Sequence, residues 1–95
     1  MATTKIKIRD KQGGVDRDPC KLKMNKDDCC WLNATDVTMV VDLKPGFFGK
    51  TKFVIPPGGQ SDSTGVSQSE GTCTYTVQEH KSQNAAADPS IIIEA

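Results

Sequence analysis

From Gly71 to Val77 the chain alternates without a break. Thr72, Thr74 and Thr76 fall on one side and Cys73, Tyr75 and Val77 on the other, because successive side chains of an extended chain point to opposite faces. The pattern predicts a strand with one face in a core, closed by the polar run Gln78-Glu79-His80. The same reading applies upstream. Thr4 to Arg9 turns Ile6 and Ile8 inward, and Cys20 to Met24 turns Leu22 and Met24 inward. Cys29 to Asn33 places Cys29, Trp31 and Asn33 on one face and Cys30 and Leu32 on the other. Val37 to Leu43 is the most β-branched run and predicts a central strand. Thr51 to Ile55 and Pro89 to Glu94 complete the set, with at most a short edge strand around Gly65-Val66-Ser67. The expected inner layer is Ile6, Ile8, Leu22, Met24, Trp31, Val40, Phe53, Tyr75, Val77, Ile91 and Ile93.

Between these runs lie turn residues: Asp10 to Pro19, Asn25 to Asp28, Asn33 to Asp36, Pro45-Gly46 and Pro56-Pro57-Gly58-Gly59. No stretch predicts a long helix, since Pro89 limits Ala85-Ala86-Ala87 to about a turn. Seven to eight short strands in one domain, residues 1–95, predict an all-β sandwich or small barrel.

Composition narrows what such a domain does. Mean hydropathy is −0.45 and the net charge is zero, as in an ordinary globular chain. No apolar run reaches the roughly 20 residues of a membrane-spanning helix, so membrane insertion is not expected. The N-terminal stretch lacks a basic segment followed by an apolar one, so no secretory leader is read in this numbering. The compartment stays open between the cytoplasm and, were a leader removed, the periplasm or the exterior. Charge is polarised: residues 1–28 carry eight basic and five acidic groups, residues 60–95 one basic and five acidic. The alternations Lys5, Lys7, Arg9 and Lys21, Lys23 predict basic side chains on one sheet surface. No aromatics are interleaved with them to stack on bases, which excludes nucleic acid as a partner.

Four cysteines, Cys20, Cys29, Cys30 and Cys73, contain no Cys-x-x-Cys pair. That argues against a thioredoxin-type motif or a zinc ribbon, which need two thiolates close in the chain. They read as buried small hydrophobes, with pairing left open. Gly49-Lys50-Thr51 lacks the upstream glycine of a phosphate loop, Lys44 standing there. Asn33-Ala34-Thr35 is a glycosylation triplet. His80, the only histidine, has no Gly-x-Ser-x-Gly elbow to serve, so no catalytic residue is expected.

With the strands laid out, the chain resembles a cupredoxin domain, the plastocyanin and azurin type of Greek-key sandwich. Met24-Asn25-Lys26-Asp27-Asp28-Cys29-Cys30-Trp31-Leu32-Asn33 is similar to the family's strand, Gly-Asp turn and Val-x-Trp-x-Asn strand, with Lys26 in place of the turn glycine. Val37-Thr38-Met39-Val40 resembles its His-Thr-Val strand, Pro56-Pro57-Gly58-Gly59 its Pro-Gly-Gly turn, and Gly71 to Val77 its Gly-Thr-Tyr-x-Tyr-x-Cys strand. The resemblance places the first histidine ligand on Val37, the cysteine thiolate on Val77, the second histidine on His80 and the axial methionine near Ala85. Only His80 keeps its type, and blue copper needs two imidazoles and a thiolate. The resemblance therefore implies a copper-free, non-enzymatic, monomeric binding or interaction module with no cofactor. The alternative is an electron-transfer or copper-handling protein whose non-standard site joins His80 to one or more cysteines. In this family apolar surface near the ligand loops docks protein partners, which makes Phe47 and Phe48, flanked by Lys44, Lys50 and Lys52, candidate docking residues.

Overall fold

In a computed structural model, described over residues 2–80 and 89–95, the alternating runs become seven strands. They are β1 (Ala2–Ile8), β2 (Cys20–Lys23), β3 (Asp27–Asn33), β4 (Met39–Leu43), β5 (Lys52–Ile55), β6 (Gly71–Glu79) and β7 (Ser90–Glu94). No helix occurs among the described residues. The strands form two sheets, β1-β3 and β2-β7-β6-β4-β5, a Greek-key β-sandwich.

The smaller sheet pairs β1 with β3 in parallel, setting Ile6 opposite Trp31 and Ile8 opposite Asn33. Its outer edges are capped by irregular segments. The Ser61 N–H donates to Trp31 O at 2.8 Å and the Thr64 N–H to Cys29 O at 2.9 Å, so residues 58–64 run along β3 and satisfy its free carbonyls. Val15 bridges Ile8 on the other side. In the larger sheet β2 and β7 are parallel and the remaining pairs antiparallel.

The core lies between the sheets around Trp31, which is fully buried. Its ring meets Phe53 at 5.3 Å and Tyr75 edge-on at 5.4 Å, separations at which aromatic pairs attract beyond their buried area. Ile6, Ile8, Leu22, Phe53, Tyr75, Val77, Ile91 and Ile93 join it as expected, while Met24 is only partly buried at its margin. Cys29 faces this core and Cys30 does not, the opposition that the alternation predicts.

Two expectations are corrected. On β4 the inward residues are Met39, Val41 and Leu43; Val40 is buried on the opposite face, between Gln78 and Val54 of the neighbouring strands. A run that is apolar on both faces carries no alternation from which to read its phase. The basic residues do not share one surface either, because β1 and β2 belong to different sheets.

Candidate functional site

Strand β6 carries the candidate residues to one end of the sandwich. Its ladder with β4 runs to the pair Met39 and Glu79, and the His80 N–H then donates to Thr38 O at 2.9 Å. His80 stands exposed just past the strand. Val37 lies across from it, not inside β4 as its β-branched character suggests, but in the bend before it. The cause is Asn33. Its buried amide donates to Val37 O at 2.8 Å, to Ile55 O at 3.0 Å and to Pro56 O at 3.2 Å, while its Oδ1 accepts from the Thr35 N–H and hydroxyl. Side-chain to backbone bonds of this kind compete with ladder pairing and hold residues 33–37 in a compact turn. The same bonds occupy the Asn33 amide completely, so the glycosylation triplet is a structural turn and not a modification site.

A cleft of about 380 Å³ opens here, lined by Asp36, Val37, Thr38, Pro57, Glu79 and His80. Val77 does not reach it; its side chain is fully buried below. The turn between β1 and β2 seals it. Asp10 Oδ1 accepts from the Gln12 and Gly14 N–H groups, and Gly13, at φ 90°, passes so close that a Cβ there would stand 2.2 Å from Val77 O. Only glycine fits that conformation and that approach. The Lys11 ammonium reaches Asp36 at 3.2 Å and ties the turn to the cleft rim. Thus Val37 and His80 share one surface, Val77 lies a layer beneath, and Ala85 falls outside the described residues.

The thiols are elsewhere. None of the four cysteines lines this cleft, and all are buried and unbridged. Burial pushes the Cys29 thiol up to about 12 and raises Cys20, Cys30 and Cys73 as well, so each is a neutral thiol at neutral pH. Cys73 points to Lys44 O at 3.7 Å, toward the start of β6 and away from His80.

Phe47 and Phe48 also sit at that far end. Phe48 is buried in the core, whereas Phe47 is half-buried and lies over Gly71, whose added Cβ would stand 3.1 Å from the ring. Beside them is an open groove of about 390 Å³ lined by Phe47, Val66, Gln68 and Ser69 among others. Lys44 and Lys52 are exposed and do not line the groove, while Lys50 lies 5.0 Å over the Phe53 ring and 3.6 Å from Asp62. The structure therefore separates the aromatic loop from the His80 end, because β4 spans the sandwich between them.

Over 97% of its length the chain superposes on a copper(I) form of a methionine-to-alanine mutant of amicyanin, with TM-score 0.72 and 14% identity, across 82% of that chain. The fold is that of a cupredoxin. An oxidised proline-to-alanine mutant of amicyanin gives TM-score 0.71 at 13% identity, again over 97% of this chain and 82% of the other. No family model matches the sequence, and no curated protein does. Copper is the group that a cupredoxin implies, and the residues present do not fit it. Val37 and Val77 have no donor atom, His80 supplies one imidazole, and no group of three His, Cys, Asp or Glu side chains among the described residues is placed to hold a metal. Sequence reasoning found His80 and Val37 but missed Asp36 and Pro57. Its one available signal was Asn33-x-Thr35, which also encodes the turn that carries Asp36 to the rim.

Proposed function

We propose that this chain is a non-enzymatic, copper-free, cupredoxin-like domain that acts as a monomeric protein-interaction module. The observation that supports the reading is that the two positions the family resemblance assigns to ligands hold valines, one lining a cleft and one sealed beneath a glycine turn. The cupredoxin fold is present while these positions carry no donor, and apolar side chains need no compensating partner when buried. The docking face that suits such a module is the Phe47 loop. Phe48 anchors the loop in the core, Phe47 presents part of its ring, and Lys44 and Lys52 supply charge that favours an acidic partner. The alternative, copper handling through His80 and cysteine, has no donor set to work with, since no thiol lines the His80 cleft.

Loading the full chain with Cu(II), followed by visible absorption and metal analysis, tests the reading. The expected result is no stoichiometric coloured complex, and an intense band at one copper per chain overturns it. The Val37→His, Val77→Cys double variant sharpens the test. It is expected to gain copper affinity that neither single change gives, and equal affinity in parent and double variant would refute the placement of these positions.

A further inference from the structure

We propose that the outer edge of β1 is a strand-addition site for an extended acidic segment of a partner protein, apart from the Phe47 loop. Alternate residues of a strand aim their N–H and C=O groups to opposite sides. In β1 the even residues face β3, as the bond from the Ala34 N–H to Ile8 O at 3.1 Å shows, and the odd ones face away. The chain covers this outer edge only at its far end. The Asp16 N–H donates to Lys7 O at 3.1 Å, the Lys7 N–H to Asp16 Oδ1 at 2.8 Å, and the Arg9 N–H to Gly14 O at 2.8 Å. Past Asp16 the chain crosses to the larger sheet, where Asp18 Oδ1 accepts from the Ser90 N–H at 3.1 Å and Cys20 pairs with Ile91. Thr3 and Lys5 are left exposed, and no hydrogen bond from another described residue reaches their outward N–H and C=O groups. The opposite edge of this sheet offers no such place, since residues 58–64 already run along it.

Charge selects the occupant. Within residues 1–28 all five carboxylates already accept hydrogen bonds from the chain itself: Asp10 from Gln12 and Gly14, Asp16 from Lys7, Asp18 from Ser90, Asp27 from Lys23 and Asp28 from Thr3. Of the eight basic side chains there, only Lys11 has a carboxylate partner among the described residues, Asp36. Lys5 and Lys7 stand on the outer face of the small sheet, in register with Cys30 and Leu32 of β3, which carry no charge to offset them. In strand addition the backbone bonds supply affinity and the alternate side chains supply specificity. Opposite charges facing each other across a strand pair attract, and like charges destabilise it, so acidic side chains suit this edge and basic ones do not. A second copy of β1 is disfavoured on the same ground, since the register centred on Lys5 sets Lys5 against Lys5.

Because the bonds are made by backbone, a proline separates strand addition from simple attraction between charges. The Lys5 N–H points off the sheet, and proline is tolerated on an edge strand where the missing N–H faces solvent. Lys5→Pro therefore removes one donor of the edge together with the Lys5 charge, whereas Lys5→Ala removes the charge alone. The difference between the two variants is the contribution of the edge.

The probe is a fluorescein-labelled peptide of sequence Glu-Thr-Glu-Val-Glu-Thr-Glu, titrated with the full chain at low ionic strength, with a control peptide that carries Lys in place of every Glu. Saturable binding of the acidic peptide and none of the basic one is expected. Lys5→Ala should weaken it about threefold and Lys5→Pro about tenfold or more. Amide hydrogen exchange reads the site on the unaltered chain, so it needs no variant to fold. The Thr3 and Lys5 N–H groups should exchange fast in the free chain and slowly with the acidic peptide bound, while Phe47 and Gly71 stay unchanged. Equal affinity in Lys5→Pro and Lys5→Ala, protection at the Phe47 loop in place of Thr3 and Lys5, absence of saturable binding, or self-association of the free chain in sedimentation would each overturn the proposal.

Discussion

The two ends of β6 are built by different means. At the His80 end Asn33 cross-ties Val37, Ile55 and Pro56 through hydrogen bonds to backbone, and the Asp10 turn closes over Val77. At the other end Phe48 fills the core beneath the loop, and Asp28 accepts from Thr3 at 2.6 Å and from Ser63. An end whose shape is held through backbone groups tolerates exchange of the side chains it presents. Val37 and Val77, neither of which takes part in these hydrogen bonds through its side chain, are positions at which such exchange is expected. An end whose shape depends on one aromatic plug tolerates little change in that plug and more in the residue beside it.

The largest test of this contrast is Phe48→Ala, which should destabilise the domain by about 3–4 kcal/mol, within the range for buried aromatic deletions. Phe47→Ala should cost about 1 kcal/mol or less. Chemical denaturation of each variant measures the gap, and equal losses would remove the distinction between plug and presented ring. Next comes Asn33→Ala. It strips buried carbonyls of donors and should cost about 2–3 kcal/mol, with NMR shifts concentrated at Val37, Thr38 and His80. Losses spread evenly over both ends would show that Asn33 is ordinary core.

A pH series probes the other end. Hydrogen bonds from Ser63 and then Thr3 hold the Asp28 carboxyl below its ordinary value of 3.8. The ionised form is thus favoured by folding, and its contribution is present above that value and lost as pH falls through the lower folded one. Denaturation midpoints compared between about pH 6 and about pH 3 should drop less in Asp28→Asn than in the parent. Identical slopes would leave Asp28 without this role. The smallest effect is expected for His80→Ala, within about 0.5 kcal/mol for an exposed side chain. A larger loss would mean that the imbalance between the two ends is overstated.

Much of the fold was legible because its signals are local. Thr72 to Val77 alternates and forms β6, and Trp31 falls on the buried face of β3, as the spacing requires. Where both faces of a strand are apolar, as at Met39 to Val41, the pattern is silent and neighbouring strands decide. Of the cleft lining, Val37 and His80 stood out in the sequence, but their arrangement did not. Val37 looks extended by type, yet Asn33, four residues earlier, pulls its carbonyl into a turn. The resemblance implied docking surface near the ligand loops, but β4 carries the chain to the far end before the Phe47 loop begins. Strand direction separates them, and no motif encodes it.

The parallel pairing of β2 with β7 sets an order of assembly. Leu22 is in register with Ile93, so nearly the whole described chain lies between the two strands. During synthesis β1 can zip to β3 once the first third of the domain has emerged, whereas β2 has no partner until Ser90 to Glu94 arrive. Pairings of such long sequence separation are slow to close. The strand that carries Cys20 is therefore the last to be sheltered in a nascent chain and the first to be uncovered when the residues of β7 are trimmed.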